Sequence, residues 1–367
     1  MLIVTFVRCL VLFISLALCA CAPGDDGLVL QADYLQRLDR ALDGEALDGV
    51  EILAFDKAQL TRYRMPPRRE RLQPIAEVRI GLLDLLIDVR RCPELQQQIS
   101  QRNSILGKQL VPSRRLAYEG DLLRAIEACL PRLAKERDQE LRATLGELAV
   151  EKRKQLPRVF WNALNGSAEV ERYLHFAEQA LPVDAAEDNA ALDALAQLAD
   201  LAHALPQRLP PPAGELDPLF FALHASEQGG QLIASLASLS HTLNQGSELL
   251  ESRQRQRPIC PLGQATPRGR ILQNIFVKYY AGALQPYLAE IDQRGQRWSR
   301  SLRQLAAAEE IPPAMREYLS NLAGAESSLW ADFQQATARH VRAWQTTLKS
   351  CGLAPGQAGW ESDTVGH

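Results

Sequence analysis

The chain has 367 residues, 46% hydrophobic and 23% charged, a balance that excludes an intrinsically disordered protein. Lys and Arg number 41 against 44 Asp and Glu, so the formal charge of −3 is too small to argue for a nucleic-acid binder. After residue 30 the sequence is dominated by Leu, Ala, Gln, Arg and Glu, which lose little side-chain freedom in a helix, so the composition predicts a helical protein.

The first residues read as a targeting signal. Met1 and Arg8 supply a thin positive region, residues 9–18 are apolar, and Leu18-Cys19-Ala20 lead into Cys21. Arg8 interrupts the apolar stretch, and the remainder is too short to cross a hydrocarbon core of about 30 Å. The stretch Leu18-Cys19-Ala20-Cys21 resembles the lipobox of bacterial lipoproteins, which implies cleavage before Cys21 and lipid attachment to it; an ordinary cleaved signal peptide is the alternative. Ala22 stands where an Asp would retain a Gram-negative lipoprotein at the inner membrane, so the resemblance implies the outer membrane, periplasmic side. Residues 1–20 are then the signal peptide and 21–28 a lipidated tether containing Pro23-Gly24-Asp25-Asp26-Gly27. Cys9 and Cys19 leave with the signal. Cys92, Cys129, Cys260 and Cys351 remain in an oxidising compartment, where four thiols imply two disulfides with three pairings.

Helical spacing of Leu30, Tyr34, Leu35, Leu38 and Leu42 predicts a first helix, whereas 44–55 is ambiguous. A basic segment from Arg62 to Arg71 carries the break Pro66-Pro67, and a helix over 71–89 is expected from Leu72, Ile75, Val78, Leu82, Leu85 and Leu86. Pro93 opens a helix over 94–109, and Pro112-Ser113 precedes another over 113–130. Two helices joined by a tight turn run antiparallel, so Cys92, opening the first, meets Cys129, closing the second. Further helical patterns cover 139–156, 159–164, 168–181 and 188–205. The Pro-rich stretch 206–214 separates an N-terminal helical region (29–205) from a C-terminal long-helix bundle (215–353), or forms a loop within one elongated bundle.

In that second region Leu284, Leu288, Ile291, Gly295, Trp298, Leu302 and Leu305 hold a coiled-coil-like alternation, with a kink expected at Pro286. A last helix is expected over 313–350, capped by Gly352 and followed by a flexible tail over 354–367. Antiparallel packing of the helix starting near Arg270 with this last one pairs Cys260 with Cys351, a closure that contributes roughly 4 kcal/mol in the chain-entropy treatment. The alternative pairings would cross the Pro-rich stretch. The expected fold is therefore all-α: long antiparallel helices in a bundle, with two disulfide-stapled helical hairpins.

Chemistry-bearing patterns are sparse. Residues 57–115 hold 13 Lys and Arg against five acids, 169–251 two against 13, and 253–303 ten against two, so the segments either neutralise one another or present basic faces to an anionic lipid headgroup, a glycan or an acidic partner. The six histidines have no zinc spacing, and His340, beside the seam of Phe333 and Trp344, reads as a hydrogen-bonded packing residue; no metal or cofactor is expected. Gly107-Lys108 fails the phosphate-loop pattern, because Arg102 replaces its first glycine and Gln109 its Ser or Thr. Glu326-Ser327 resembles the glutamate-serine pair of helical lytic transglycosylases, but the residues after it do not match that family. Trp298, Trp330, Phe333 and Trp344 suit a bundle core better than a ligand groove.

Arg102-Asn103-Ser104, Gly107-Lys108, Pro112-Ser113 and Tyr118-Glu119, with Cys260-Pro261-Leu262-Gly263, Leu329-Trp330, His340, Trp344-Gln345 and Cys351-Gly352-Leu353, resemble the signature of a family of Gram-negative lipoproteins classed as a domain of unknown function. The resemblance implies a location and leaves activity open. Within it, Arg102, Asn103, Lys108, Ser113 and Glu119 span the turn of the first stapled hairpin and form the candidate binding set, with turn and capping chemistry as the competing role. The expectation is a non-enzymatic interaction or scaffold protein anchored to the membrane through lipid on Cys21, with an envelope protein as partner and no nucleic acid. The alternative is a binder of an anionic envelope component; a glycan-cleaving enzyme resting on Glu326 is the weaker third reading.

Overall fold

A computed structural model of the chain describes residues 27–42, 61–76 and 89–360. Cys21, the ambiguous stretch 44–55, most of the expected 71–89 helix and residues 361–367 lie outside the described residues. Among the described residues there are twelve α-helices of seven residues or more and no strand. In chain order they are α1 (Gly27–Ala41), α2 (Pro93–Asn103), α3 (Pro112–Cys129), α4 (Gln139–Gly166), α5 (Ala168–Leu174), α6 (Asn189–Ala204), α7 (Ala213–Ala225), α8 (Gln228–Gln256), α9 (Pro267–Ile275), α10 (Gln285–Ala307), α11 (Pro313–Ala323) and α12 (Leu329–Ser350).

The fold is built around α8, whose 29 residues span about 43 Å at the helical rise. Leu232, Leu236, Leu239, Leu243 and Leu250 are buried, and so are the small polar residues Ser235, Ser238, Thr242 and Ser247 on other faces. Small side chains let neighbours approach, and the hydroxyls of Ser238 and Ser247 donate to carbonyls of α8 itself, so they enter the core without unsatisfied donors. The helix α12 lies along α8, and α1 and α10 pack on it as well. The seam expected on α10 is real: Leu288, Ile291, Trp298, Leu302 and Leu305 are all buried.

A second, smaller apolar cluster holds Val89, Leu95, Ile99, Leu122, Ile126, Leu133 and Leu145 between α2, α3 and the start of α4. The helix α3 joins the two clusters, since Leu116 and Leu123 belong to the main core and Leu122 and Ile126 to the smaller one. Both disulfides form as the antiparallel argument requires: Cys92–Cys129, with a Cα–Cα distance of 5.4 Å, and Cys260–Cys351, with 5.1 Å. The stretch 206–214 lies between α6 and α7, which pack on each other, and the main core takes Leu198 and Leu216 from either side of it. Arg124 and Arg153 donate to the carbonyls of Pro210 and Pro206, fastening the stretch to α3 and α4.

Several local expectations are corrected. The helix expected from residue 71 does not start there: a single turn ends at Arg71 and 72–76 is non-helical. Pro74 disfavours helical geometry at Gln73, and Asn162 of α4 takes over both backbone groups of Gln73, accepting from its N–H at 2.8 Å and donating to its carbonyl at 2.7 Å. The patterns over 139–156 and 159–164 are one helix that runs through Pro157. The 168–181 helix stops at Leu174, because the chain then crosses Gly229 and Gly230 of α8 so closely that a Cβ on Gly230 would lie 2.1 Å from the His175 carbonyl. The last helix is two, α11 and α12, separated at 324–328, where Ser328 caps α12 by accepting from the Ala331 N–H. Ahead of Pro286, residues Phe276–Leu284 form a π-helix linking α9 to α10. A proline lacks the N–H for the i−4 bond and crowds that carbonyl, and the wider π spacing absorbs the mismatch. Of the expected tail, 354–360 folds back: the Gly359 carbonyl accepts from Arg270 and Trp360 meets the ring of Phe276 edge-on.

Candidate functional site

The five candidate binding residues divide by position on the hairpin. Asn103 and Ser104 serve the turn: the Asn103 amide donates to the Ile99 carbonyl, and the Ser104 hydroxyl donates to the Gln101 carbonyl while accepting from the Gly107 N–H. Gly107 is required there, because a Cβ on it would stand 2.0 Å from the Gln101 carbonyl. Arg102 donates to the Gly107 carbonyl across the turn, and Lys108 is exposed at the tip. Ser113 faces the other way, its hydroxyl 3.4 Å from a carboxylate oxygen of Asp217 on α7, to which Arg114 also donates.

Glu119 is buried on α3, and its carboxylate accepts from Arg115 at 3.0 Å and pairs with Lys152 of α4 at 3.0 Å. Arg102 feels this group: desolvation first, then repulsion from Arg115, lower its pKa, with Tyr118 and Glu119 opposing. Burial and the adjacent Glu119 push the Tyr118 hydroxyl up to about 12, so it remains protonated. The structure thus brings Arg102 and Glu119 into one electrostatic cluster with Arg115, Tyr118 and Lys152, none of them in the candidate binding set, and assigns Asn103 and Ser113 to turn and interhelix contacts. Beside the cluster, the tip presents two large apolar side chains to solvent, Ile105 at 80% and Val111 at 53% exposure.

The charge blocks neutralise one another across segments. Arg71 pairs with Glu171, Arg114 with Asp217, Arg297 with Asp193, and Arg255 and Arg339 with Glu248. Within the 57–115 block, the Arg62–Arg71 segment meets the start of α3: a guanidinium nitrogen of Arg68 and the ring of Pro112 both come within 3.6 Å of the Cβ position of Gly166. The other basic block, 253–303, begins near the far end of α8, about 35 Å along the helix from the crossing at Gly229 and Gly230.

His340 is wholly buried and belongs to a chain of hydrogen bonds rather than to an accessible site. Trp344 Nε1 donates to the Tyr34 hydroxyl at 2.8 Å, and that hydroxyl meets His340 Nε2 at 2.5 Å. His340 Nδ1 lies 3.1 Å from the Ser247 hydroxyl, which itself donates to the Leu243 carbonyl at 2.6 Å. Only one proton arrangement satisfies every partner: Tyr34 donates to Nε2, and Nδ1–H donates to Ser247, so the imidazole is neutral with its proton on Nδ1. Desolvation pushes His340 down to about 3, which maintains that form. Trp298, Trp330, Phe333 and Trp344 are core residues. Glu326 is exposed in the break between α11 and α12. Among the described residues no cluster of three or more His, Cys, Asp or Glu is placed to hold a metal ion, and no helix is long and apolar enough to cross a membrane.

These features define an all-helical bundle with one large and one small core, each closed by a disulfide. The chain belongs to the family described as Protein of unknown function (DUF3080), whose model matches residues 31–355. No curated protein and no solved structure matches it.

Proposed function

We propose that the protein is a lipid-anchored, non-enzymatic interaction protein of the Gram-negative envelope, held through Cys21 on the periplasmic side of the outer membrane and engaging its partner with the tip of the α2–α3 hairpin. The observation that carries this reading is the exposure of Ile105 and Val111 at the end of an arm stiffened by the Cys92–Cys129 bond and a core of its own. Apolar side chains with the exposed Lys108 beside them in the turn suit a partner patch that is apolar at its centre and acidic at its rim. The start of α1 supports the anchored geometry. Gly27 is buried, its N–H bonded to the Leu181 carbonyl, and only five residues stand between it and Cys21. That length of chain spans at most roughly 20 Å, which keeps the bundle beside the bilayer. A non-enzymatic role is supported by His340 and Ser247, whose hydrogen bonds are all directed into the core.

The test is a photo-crosslinking residue at position 105, compared in intact cells with one at the exposed Val150 of α4. A discrete protein adduct from 105 and none from 150 supports the reading. Equal yields, or no adduct from 105, overturn it. The meeting of the Arg68 and Pro112 stretches favours one second reading, contact with anionic lipid headgroups, and a lipid adduct from position 105 selects it.

A further inference from the structure

Where α8 and α12 run side by side they enclose, with Arg62 and Tyr63, a groove of about 710 Å³. Ala237, Ser240 and Ala336 line it, and such small side chains leave space between the two helices that larger ones would fill. Around it stand Arg62, His241, Asn244, Asp332, Gln335 and Arg342. Many arginines of the fold are committed to acidic partners, and Arg339, at the edge of this same groove, donates to Glu248, Glu251 and Asn244. The side chains of His241, Asp332, Gln335 and Arg342, by contrast, make no hydrogen bond or ion pair among the described residues.

His241 is the most telling of the four. Its Nε2 is closed off from solvent without a partner, a condition that is rare for a buried polar atom and costs free energy until something bonds to it. Burial also holds its pKa below the usual histidine range, so the ring is neutral and offers one N–H and one lone pair.

We infer that this groove binds an acidic saccharide of one or two rings. Arg342 supplies a guanidinium group for a carboxylate, which it grips in a planar, two-bonded manner that a neutral sugar does not reward, and Arg62, whose Nη2 donates to the Ser327 carbonyl at 2.7 Å, adds positive charge beside it. Asp332 accepts from sugar hydroxyls, and the amides of Asn244 and Gln335 each donate and accept, as hydroxyl and acetamido groups require. The alanine methyls give the C–H faces of a ring shallow apolar contact. Besides Tyr63, the apolar members of the lining are three alanines and the buried Leu329, so the groove lacks the deep apolar pocket that a lipid chain or a large peptide side chain would fill. Its volume lies within the ~300–1,000 Å³ of small-molecule sites. The inference is independent of the hairpin tip and of the anchor.

The experiment is calorimetric titration of the full-length protein in detergent with the disaccharide N-acetylglucosaminyl-N-acetylmuramic acid, beside neutral diacetylchitobiose and an acidic tripeptide. The acidic disaccharide should bind, and the neutral one about tenfold more weakly. Arg342→Gln should weaken binding about tenfold and Asp332→Asn several-fold, whereas Ile105→Glu should leave it unchanged. Arg342 is exposed, so its variant should melt with the wild type; if it does not, Gln335→Ala at the same rim serves instead. Absence of heat with the acidic disaccharide at about 10 mM, equal affinity for the neutral one, an unaffected Arg342→Gln variant, or equal competition by the tripeptide would each overturn the assignment.

Discussion

Tyr34 and His340 lie 306 positions apart in the chain, and the Tyr34 hydroxyl meets His340 Nε2 at 2.5 Å in the centre of the bundle. The contact ties α1 to α12 across α8, and Trp344 and Ser247 extend it in both directions. Every donor in the network has an acceptor, so the network fixes how α1 seats while leaving none of its polar groups unpaired.

Removing the middle member should therefore cost more than one hydrogen bond. Tyr34→Phe removes the short bond to Nε2 of His340 and leaves that nitrogen and the Trp344 N–H with only their longer mutual contact of 3.1 Å. Chemical denaturation should show a loss of about 1–3 kcal/mol, with the slope of the unfolding transition unchanged.

The same network gives a pH dependence with a definite sign. Folded His340 titrates near 3, whereas unfolded histidine titrates near 6.5, so between those values the unfolded state binds the extra proton. Stability contributed by neutral His340 is complete above about pH 6.5 and declines as pH falls towards 3, by about 1.4 kcal/mol per unit. In His340→Gln the absolute stability drops, but this part of the slope should vanish, which denaturation at a series of pH values reads directly.

Glycine positions separate tight packing from open space. A Cβ at Gly246 would approach His340 Cε1 to 2.7 Å, and one at Gly295 would lie 2.2 Å from Trp330 Cζ3. Alanine at either should destabilise the fold by about 1–3 kcal/mol. Gly146, inside α4 with nothing within 4 Å of its Cβ position, should instead gain about 0.5–1 kcal/mol on substitution by alanine. Thermal melting of the three variants distinguishes the two cases.

The double variant Cys92→Ala/Cys129→Ala should act on the smaller core. Loss of the link costs up to about 4 kcal/mol in the chain-entropy treatment. Hydrogen exchange should quicken across α2 and α3, while α8 and α12, closed by Cys260–Cys351, keep their protection.

Much of this fold was readable from residue order, because helix direction is a local property. Pro93 and Pro112 start the two arms of the first hairpin, and that alone brings Cys92 to Cys129. The seam from Leu288 to Leu305 was legible for the same reason. What periodicity does not encode is which partner a backbone finds: the capture of Gln73 by Asn162, 89 positions away, holds 72–76 out of the helix that the apolar spacing starts at residue 71. The π spacing before Pro286 likewise depends on how the chain relieves a missing donor. The candidate site was half legible. Arg102 and Glu119 share one cluster, but Lys152 completes it from another helix, and His241, Asp332 and Arg342 look in sequence like members of ordinary solvated faces.

The reading of anchor, compartment and interaction arm begins at Cys21. Mass spectrometry of the N-terminal peptide, taken from the membrane fraction of cells expressing the full chain, tests it most directly. The mature chain should start at Cys21 and carry fatty acyl groups on that residue. A chain that retains Met1, or one cleaved with Cys21 absent or unmodified, would contradict it.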